Sequence, residues 1–233
     1  MAFGFVAFVS CKDTANESAS ERLADMPLMP VSVGDTWTYE ARLRIPQGVT
    51  SPGSGAIDTK RTVTRRYLGK TRAAEGLPEV DCFEVSTTGF PSEREFVEIQ
   101  EDRVFMRGSL VMRPESGRPL WLDQPILLVQ AGMKPGDGVG KVIGGDGAIL
   151  RTILTTARVP ISINGRKHSA IEVSMVGRDG DLFLDRVLWF VPGVGIVREA
   201  KVRRRGGIVI FDETQDLLSA PGLGEVKMDY EEP

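Results

Sequence analysis

The sequence predicts an all-β protein, mainly antiparallel, folded as a curved sheet or half-barrel with at most one or two short helices. Three observations predict it. Apolar and polar residues alternate with period two in run after run, the pattern of strands with one buried face. The 26 glycines and 14 prolines are scattered along the chain rather than gathered, which suits many short strands joined by tight turns. Strands do not alternate with helices, so a parallel sheet is disfavoured. With 233 residues, 41% of them hydrophobic, the chain is long enough to bury a core, and a single β domain is expected over residues 27–218.

The first strand is the clearest. From Thr36 to Ile45, Trp37, Tyr39, Ala41, Leu43 and Ile45 alternate with Thr38, Glu40, Arg42 and Arg44. A Gly, Ser and Pro cluster from Gln47 to Gly55 makes a loop, and Asp58 to Leu68 forms the second strand. Cys82–Thr87 and Glu95–Ile99 follow, separated by a Gly89-Phe90-Pro91 turn, and Arg103–Met112 makes a fifth strand. Gln124–Met133 is the one stretch with helical spacing, kept short by Pro125 and Gly132. Strand character then resumes over 149–157, 159–163, 169–176, 182–190, 195–203 and 208–213. Asn164-Gly165 and Asp179-Gly180 tolerate positive φ at both central positions of a tight turn, so they predict hairpins between antiparallel neighbours.

Both ends read differently from the body. Met1–Ser10 is apolar and uncharged, too short to span a bilayer but long enough for the apolar region of a secretory signal. Phe8, Val9 and Ser10 stand directly before Cys11. The stretch resembles a bacterial lipoprotein signal, which implies a signal and lipobox over 1–11, lipid on Cys11, and a place outside the cytoplasm. Lys12 after the cysteine implies outer-membrane sorting by the same resemblance. The other reading of the run is an apolar strand docked on the core, with Cys11 as a small hydrophobe. Residues 12–26 are polar with no periodicity and read as a flexible tether, and 219–233 as a disordered acidic tail.

The body carries no constellation that specifies a reaction, and no cofactor or metal site is expected. A net charge of −3 and a pI near 5.4 disfavour a nucleic-acid partner. Gly69-Lys70-Thr71 ends like a phosphate loop but lacks the earlier glycine and any following helix signal, and Gly138, Gly140 and Gly144 miss a dinucleotide fingerprint. The single histidine, His168, lies beside a hairpin turn where solvent is expected. Cys82 reads as a buried or half-buried thiol. Among Glu93, Glu95, Glu98, Glu101 and Asp102, strand alternation separates Glu93 and Glu95 from Glu98, so solvated strand charges are expected rather than a catalytic carboxylate pair. Arg198, Lys201, Arg203, Arg204 and Arg205, with Arg65 and Arg66 as candidate neighbours, form the most distinctive charge feature. Such a patch fits an edge strand protected against pairing, which needs no ligand, ahead of an anionic partner.

Two further stretches carry a resemblance. V-G-D-T-W-T-Y at 33–39, with Trp37 and Tyr39, and W-F-V-P-G-V-G-I-V at 189–197, with Trp189, Pro192, Gly193 and Gly195, resemble the opening and closing strands of a group of uncharacterised bacterial envelope proteins. That group is similar in outline to the DUF3108 proteins and to half-barrels of the LolA and LolB type. The resemblance covers about residues 26–218 and implies that Trp37 and Tyr39 pack under the sheet while Pro192 and Gly193 turn the chain. It also implies a non-enzymatic binding protein held to a membrane by lipid, with a hydrophobic ligand, a lipoprotein or another envelope protein as its partner. A structural or adaptor module is the second reading, and an enzyme with a dispersed acidic site the third.

Overall fold

The computed structural model describes residues 26–49, 51, 53–112, 119–133, 136, 139–143, 149–153 and 158–230. The chain is all-β, as the alternation predicts. Fifteen strands succeed one another: β1 Thr36–Ile45, β2 Ile57–Arg72, β3 Glu79–Thr87, β4 Glu93–Ile99, β5 Arg103–Val111, β6 Leu120–Gln130, β7 Val139–Ile143, β8 Ile149–Ile153, β9 Arg158–Ile163, β10 Arg166–Asp179, β11 Leu182–Val191, β12 Gly195–Arg205, β13 Ile208–Ala220, β14 Gly224–Glu225 and β15 Met228–Tyr230. They form one sheet in the order β15-β9-β10-β11-β12-β13-β1-β2-β3-β4-β5-β6, with β14 on β13 and the β7–β8 hairpin on β10. Every pairing is antiparallel.

Turn chemistry explains much of this order. Asn164 and Gly165 take φ of 52° and 75°, which is the pattern expected for a type I′ hairpin between β9 and β10. The next hairpin is displaced by one residue from the expectation. Asp179 pairs with Leu182, so the loop is Gly180-Asp181, with positive φ at Gly180 alone, as in a type II′ turn. Gly206-Gly207, at 54° and 83°, joins β12 to β13 in the same economical way.

Two expectations are overturned. Gln124–Met133 is not a helix: residues up to Gln130 belong to β6, where Ile126 and Leu128 are buried. Pro125 is tolerated because β6 bulges there. Met106 pairs with Ile126 and Gly108 with Trp121, so four residues of β6 oppose one of β5. Gly108 permits this approach, since a Cβ there would collide with the Leu120 carbonyl oxygen. The stretch over 219–230 is not a disordered tail either. Ser219 and Ala220 close β13 against β14, and β15 pairs Met228, Asp229 and Tyr230 with Ile163, Ser162 and Ile161 of β9. Apolar Val226, Met228 and Tyr230, spaced two apart among the acids, supply the buried side of that segment. The second strand runs past its expected end at Leu68 through Gly69-Lys70-Thr71: Gly69, at φ 90°, sits at a bulge where Tyr67 pairs with Phe83 and Gly69 with Cys82. Residues 1–25, including Cys11 and all of the predicted tether but Met26, and residues 231–233 lie outside the described residues.

The sheet curls until its two ends approach each other. β6, at one end of the order, comes close to β7, β8 and β10 without hydrogen-bonding to them. The result is an unclosed barrel with one side chain in two pointing inward. Trp37, Tyr39, Phe83, Leu188 and Phe190 fill the interior with Leu128, Val129, Ile161 and Val173. A smaller cluster of Val80, Cys82 and Phe96 lies apart from it, packed against Leu68, Leu110 and Trp121.

Candidate functional site

The two stretches singled out by resemblance meet in space. Val191-Pro192-Gly193-Val194 is a turn, closed by Val194 N–H donating to Val191 O at 3.0 Å, with proline at its second position and Gly193 at φ 78° at its third. That is the type II arrangement. Beyond it β12 pairs with β13 only from Arg198 onward. The carbonyls of Val194 and Ile196 therefore fall outside that ladder, and side chains replace the missing strand. Trp37 Nε1–H donates to Val194 O and the Tyr39 hydroxyl to Ile196 O, both at 2.9 Å and both buried. Gly195 lies against Trp37 and Met29 at φ 95°, a backbone conformation that favours glycine. Leu28 and Met29, both buried, pack at this end, and Pro27 O accepts from Gly193 N–H at 3.0 Å. Trp189 points elsewhere: it is half-buried, with Arg198 5.3 Å from its ring.

Further along the interior the lining changes from apolar to charged. Arg65 continues the inward row Val63-Arg65-Tyr67 of β2, Glu95 faces in from β4, Arg186 from β11, and Glu199 from β12. These four alternate in a closed ring. Arg65 lies 2.9 Å from Glu95, Glu95 3.5 Å from Arg186, Arg186 in a short hydrogen bond to Glu199, and Glu199 3.7 Å from Arg65. Lys201 adds a contact to Glu199 at 3.1 Å and to Glu213 at 3.9 Å, and Gln215 donates to Glu213 at 2.7 Å. Side-chain exposures of 4% for Arg65 and 2% for Glu199 make these buried charges, which persist only when paired. Burial pushes the Glu199 carboxyl up, but Arg186, Lys201 and Arg65 more than offset it and hold it well below the usual carboxylate range. Glu93, two residues from Glu95, is raised by burial and by the Glu95 charge. Arg65 Nε is buried with no hydrogen-bond partner.

The predicted basic patch does not assemble. Alternation sends Lys201 to the interior, on Glu199 and Glu213, whereas Arg204 pairs with Asp185 and Arg205 lies 3.7 Å from Asp181. Arg203 lies over Phe211, at 5.3 Å, and Arg198 lies 3.4 Å from Asp216 and over the rings of Trp189 and Tyr230. Arg65 joins the buried ring instead of a surface, and Arg66 pairs with Glu84 at 2.8 Å. Alternation does divide the acidic set, because Glu98 faces away and pairs with Arg107 at 2.8 Å, but Glu95 and Glu93 are not solvated strand charges. Glu95 is an interior group with two arginine partners. His168 is half-buried rather than solvent-facing, since it pairs with buried Ile161, and burial together with Arg166 lowers its pKa. Cys82 is fully buried, and burial raises its thiol to about 11. Among the described residues no group of three His, Cys, Asp or Glu side chains is placed to hold a metal ion.

Among the described residues, the roomier depressions open to the outside of the barrel. The enclosed cavity beside Arg65, Glu95 and Arg186 measures about 20 Å³, room for one water. An open groove of about 620 Å³ runs along the Trp37 end, lined by Pro27, Met29, Pro30, Val31, Ile99 and Val194 among others. Two shallower depressions, of about 310 and 290 Å³, lie near Ile45 and Lys60.

No family model matches the chain, and no curated protein matches it. Among solved structures it is similar to a Bacteroides fragilis protein described as a candidate exported protein with a YmcC-like fold, with 13% identity and a TM-score of 0.41, over 87% of this chain and 99% of that one. A likeness at that level carries no argument about family or function.

Proposed function

We propose that the chain is a non-enzymatic protein of the bacterial cell envelope, lipid-anchored through Cys11 and working outside the cytoplasm, that binds another envelope protein in the groove at the Trp37 end. The observation that carries this reading is where the space lies. Among the described residues, the interior beside Arg65 and Glu95 holds a cavity of about 20 Å³, whereas the groove offers about 620 Å³, within the roughly 300–1,000 Å³ of ordinary binding sites. Its lining is largely proline and aliphatic, with Ser32, Asp35, Gln100 and Glu101 as polar groups, a mixture suited to an extended protein segment. The described chain begins at Met26, next to Pro27 of the groove, and fifteen residues from Cys11 to Met26 reach at most about 50 Å. An anchored body would therefore present this end close to the membrane.

Two measurements test the reading. Metabolic labelling with a clickable fatty acid should mark the wild type and not Cys11→Ser; label on both, or on neither, removes the anchor. A photo-reactive residue at Val31 should give a discrete adduct in cells, whereas one at Thr59, far from the groove, should not. Equal adducts from both positions would contradict docking there.

A further inference from the structure

The ring of Arg65, Glu95, Arg186 and Glu199 joins parts of the sheet that the strand order keeps far apart. Five strands separate β11 from β4 in that order. At about 4.8 Å per strand, a flat sheet would hold them about 29 Å apart. Yet Arg186 of β11 lies 3.5 Å from Glu95 of β4, and Arg65 of β2 lies 3.7 Å from Glu199 of β12. The ring therefore spans the interior of the curled sheet. It stands opposite a weakness, because among the described residues β6 is hydrogen-bonded on one edge only, to β5. Its other edge comes near β7, β8 and β10 with no ladder joining them among the described residues. A barrel closed by a ladder needs no internal bridge. This one lacks that last ladder and has the bridge.

We infer that the four-residue ring is a latch that holds β4, β5 and β6 against β10, β11 and β12, and that its release opens the unpaired seam of the barrel onto an apolar interior. Two observations favour a latch over a simple prop. Buried ion pairs contribute little net stability compared with apolar side chains of the same volume, so stability alone does not account for two arginines in an apolar interior. The ring is also incompletely satisfied, since Arg65 Nε has no partner and the small cavity beside it is too small to hold more than a water. Opening would expose Phe83, Val97, Val104, Leu128, Leu188 and Phe190, which line that cavity with the charged groups. Lys201, Glu213, Glu93 and Tyr39 surround the ring and would stay with their own strands.

Hydrogen exchange followed strand by strand on the full chain tests the latch. Glu95→Gln removes the charge that reaches β11, and should speed exchange in β4, β5 and β6 by tenfold or more relative to its effect on β1 and β13. The charge-balanced double variant Arg186→Met with Glu95→Met leaves Arg65 and Glu199 as a matched pair, and it decides the matter if the single variant does not fold. The double variant should fold and show the same selective rise. Exchange that rises equally in all these strands, exchange in β4 to β6 that does not change, or a double variant that fails to fold would each overturn the latch and leave the ring as a structural prop.

Discussion

The two halves of the barrel interior solve the same problem with different chemistry. At the Trp37 end the ladder between β12 and β13 stops early, and two neutral side chains, Trp37 and Tyr39, cap the carbonyls it leaves behind. In the charged half β6 has no second ladder among the described residues, and charged side chains reach across the interior from β11 to β4 and from β12 to β2. The difference is one of tolerance. A neutral cap can be lost at the cost of one orphaned carbonyl, whereas a ring of buried charges fails as a unit once one member is removed.

The comparison breaks most sharply at Arg65. Arg65→Met leaves Glu95 and Glu199 buried with one arginine between them, and urea unfolding should show a loss of about 3–5 kcal/mol, the usual result of breaking a buried ion pair from one side. Trp37→Phe tests the other half. It keeps an aromatic ring in place but leaves Val194 O without its donor, and the same measurement should give a loss of about 1–3 kcal/mol. A larger loss at Trp37 than at Arg65 would reverse the comparison. The smallest effect belongs to Glu93. Its carboxyl is raised by burial and by Glu95, so the unfolded chain holds its proton less tightly than the folded one, and ionised Glu93 costs stability above its folded pKa. Glu93→Gln should therefore raise the melting temperature at pH 7.5, and the gain should shrink as pH falls through that raised value. A gain that grows on acidification would show that another group controls the region.

How much of this was legible in the sequence follows from the periods involved. Alternation alone located β1, β10, β11 and β12 within a few residues, and the Asn164-Gly165 pair fixed a hairpin correctly. The helix expected over 124–133 failed because Pro125 and the apolar run were read without the bulge that accommodates them, and a bulge is a property of two strands together. The tail expected over 219–233 failed for a related reason. It was read from its four acids and its Gly and Pro residues, but Val226, Met228 and Tyr230 recur with period two and face the core. The charged ring was visible only in part. Val63-Arg65-Tyr67, Leu184-Arg186-Leu188 and Val197-Glu199 each place a charge in an inward row, an anomaly that alternation reveals strand by strand. That these anomalies meet depends on how far the sheet curls, and no single strand encodes the curl. The cations clustered near residue 200 misled for a different reason, since proximity in sequence was read without the alternation that sends Lys201 inward and Arg204 to Asp185.

The central claim is that side chains fill the described interior of the barrel and that binding takes place on its outside. Native mass spectrometry of the chain, released from bacterial membranes in mild detergent, tests it most directly. The expected mass is that of a chain beginning at an acylated Cys11, with nothing further retained. A lipid-sized molecule that stays bound under native conditions and departs on denaturation would place the ligand inside the barrel and contradict the claim.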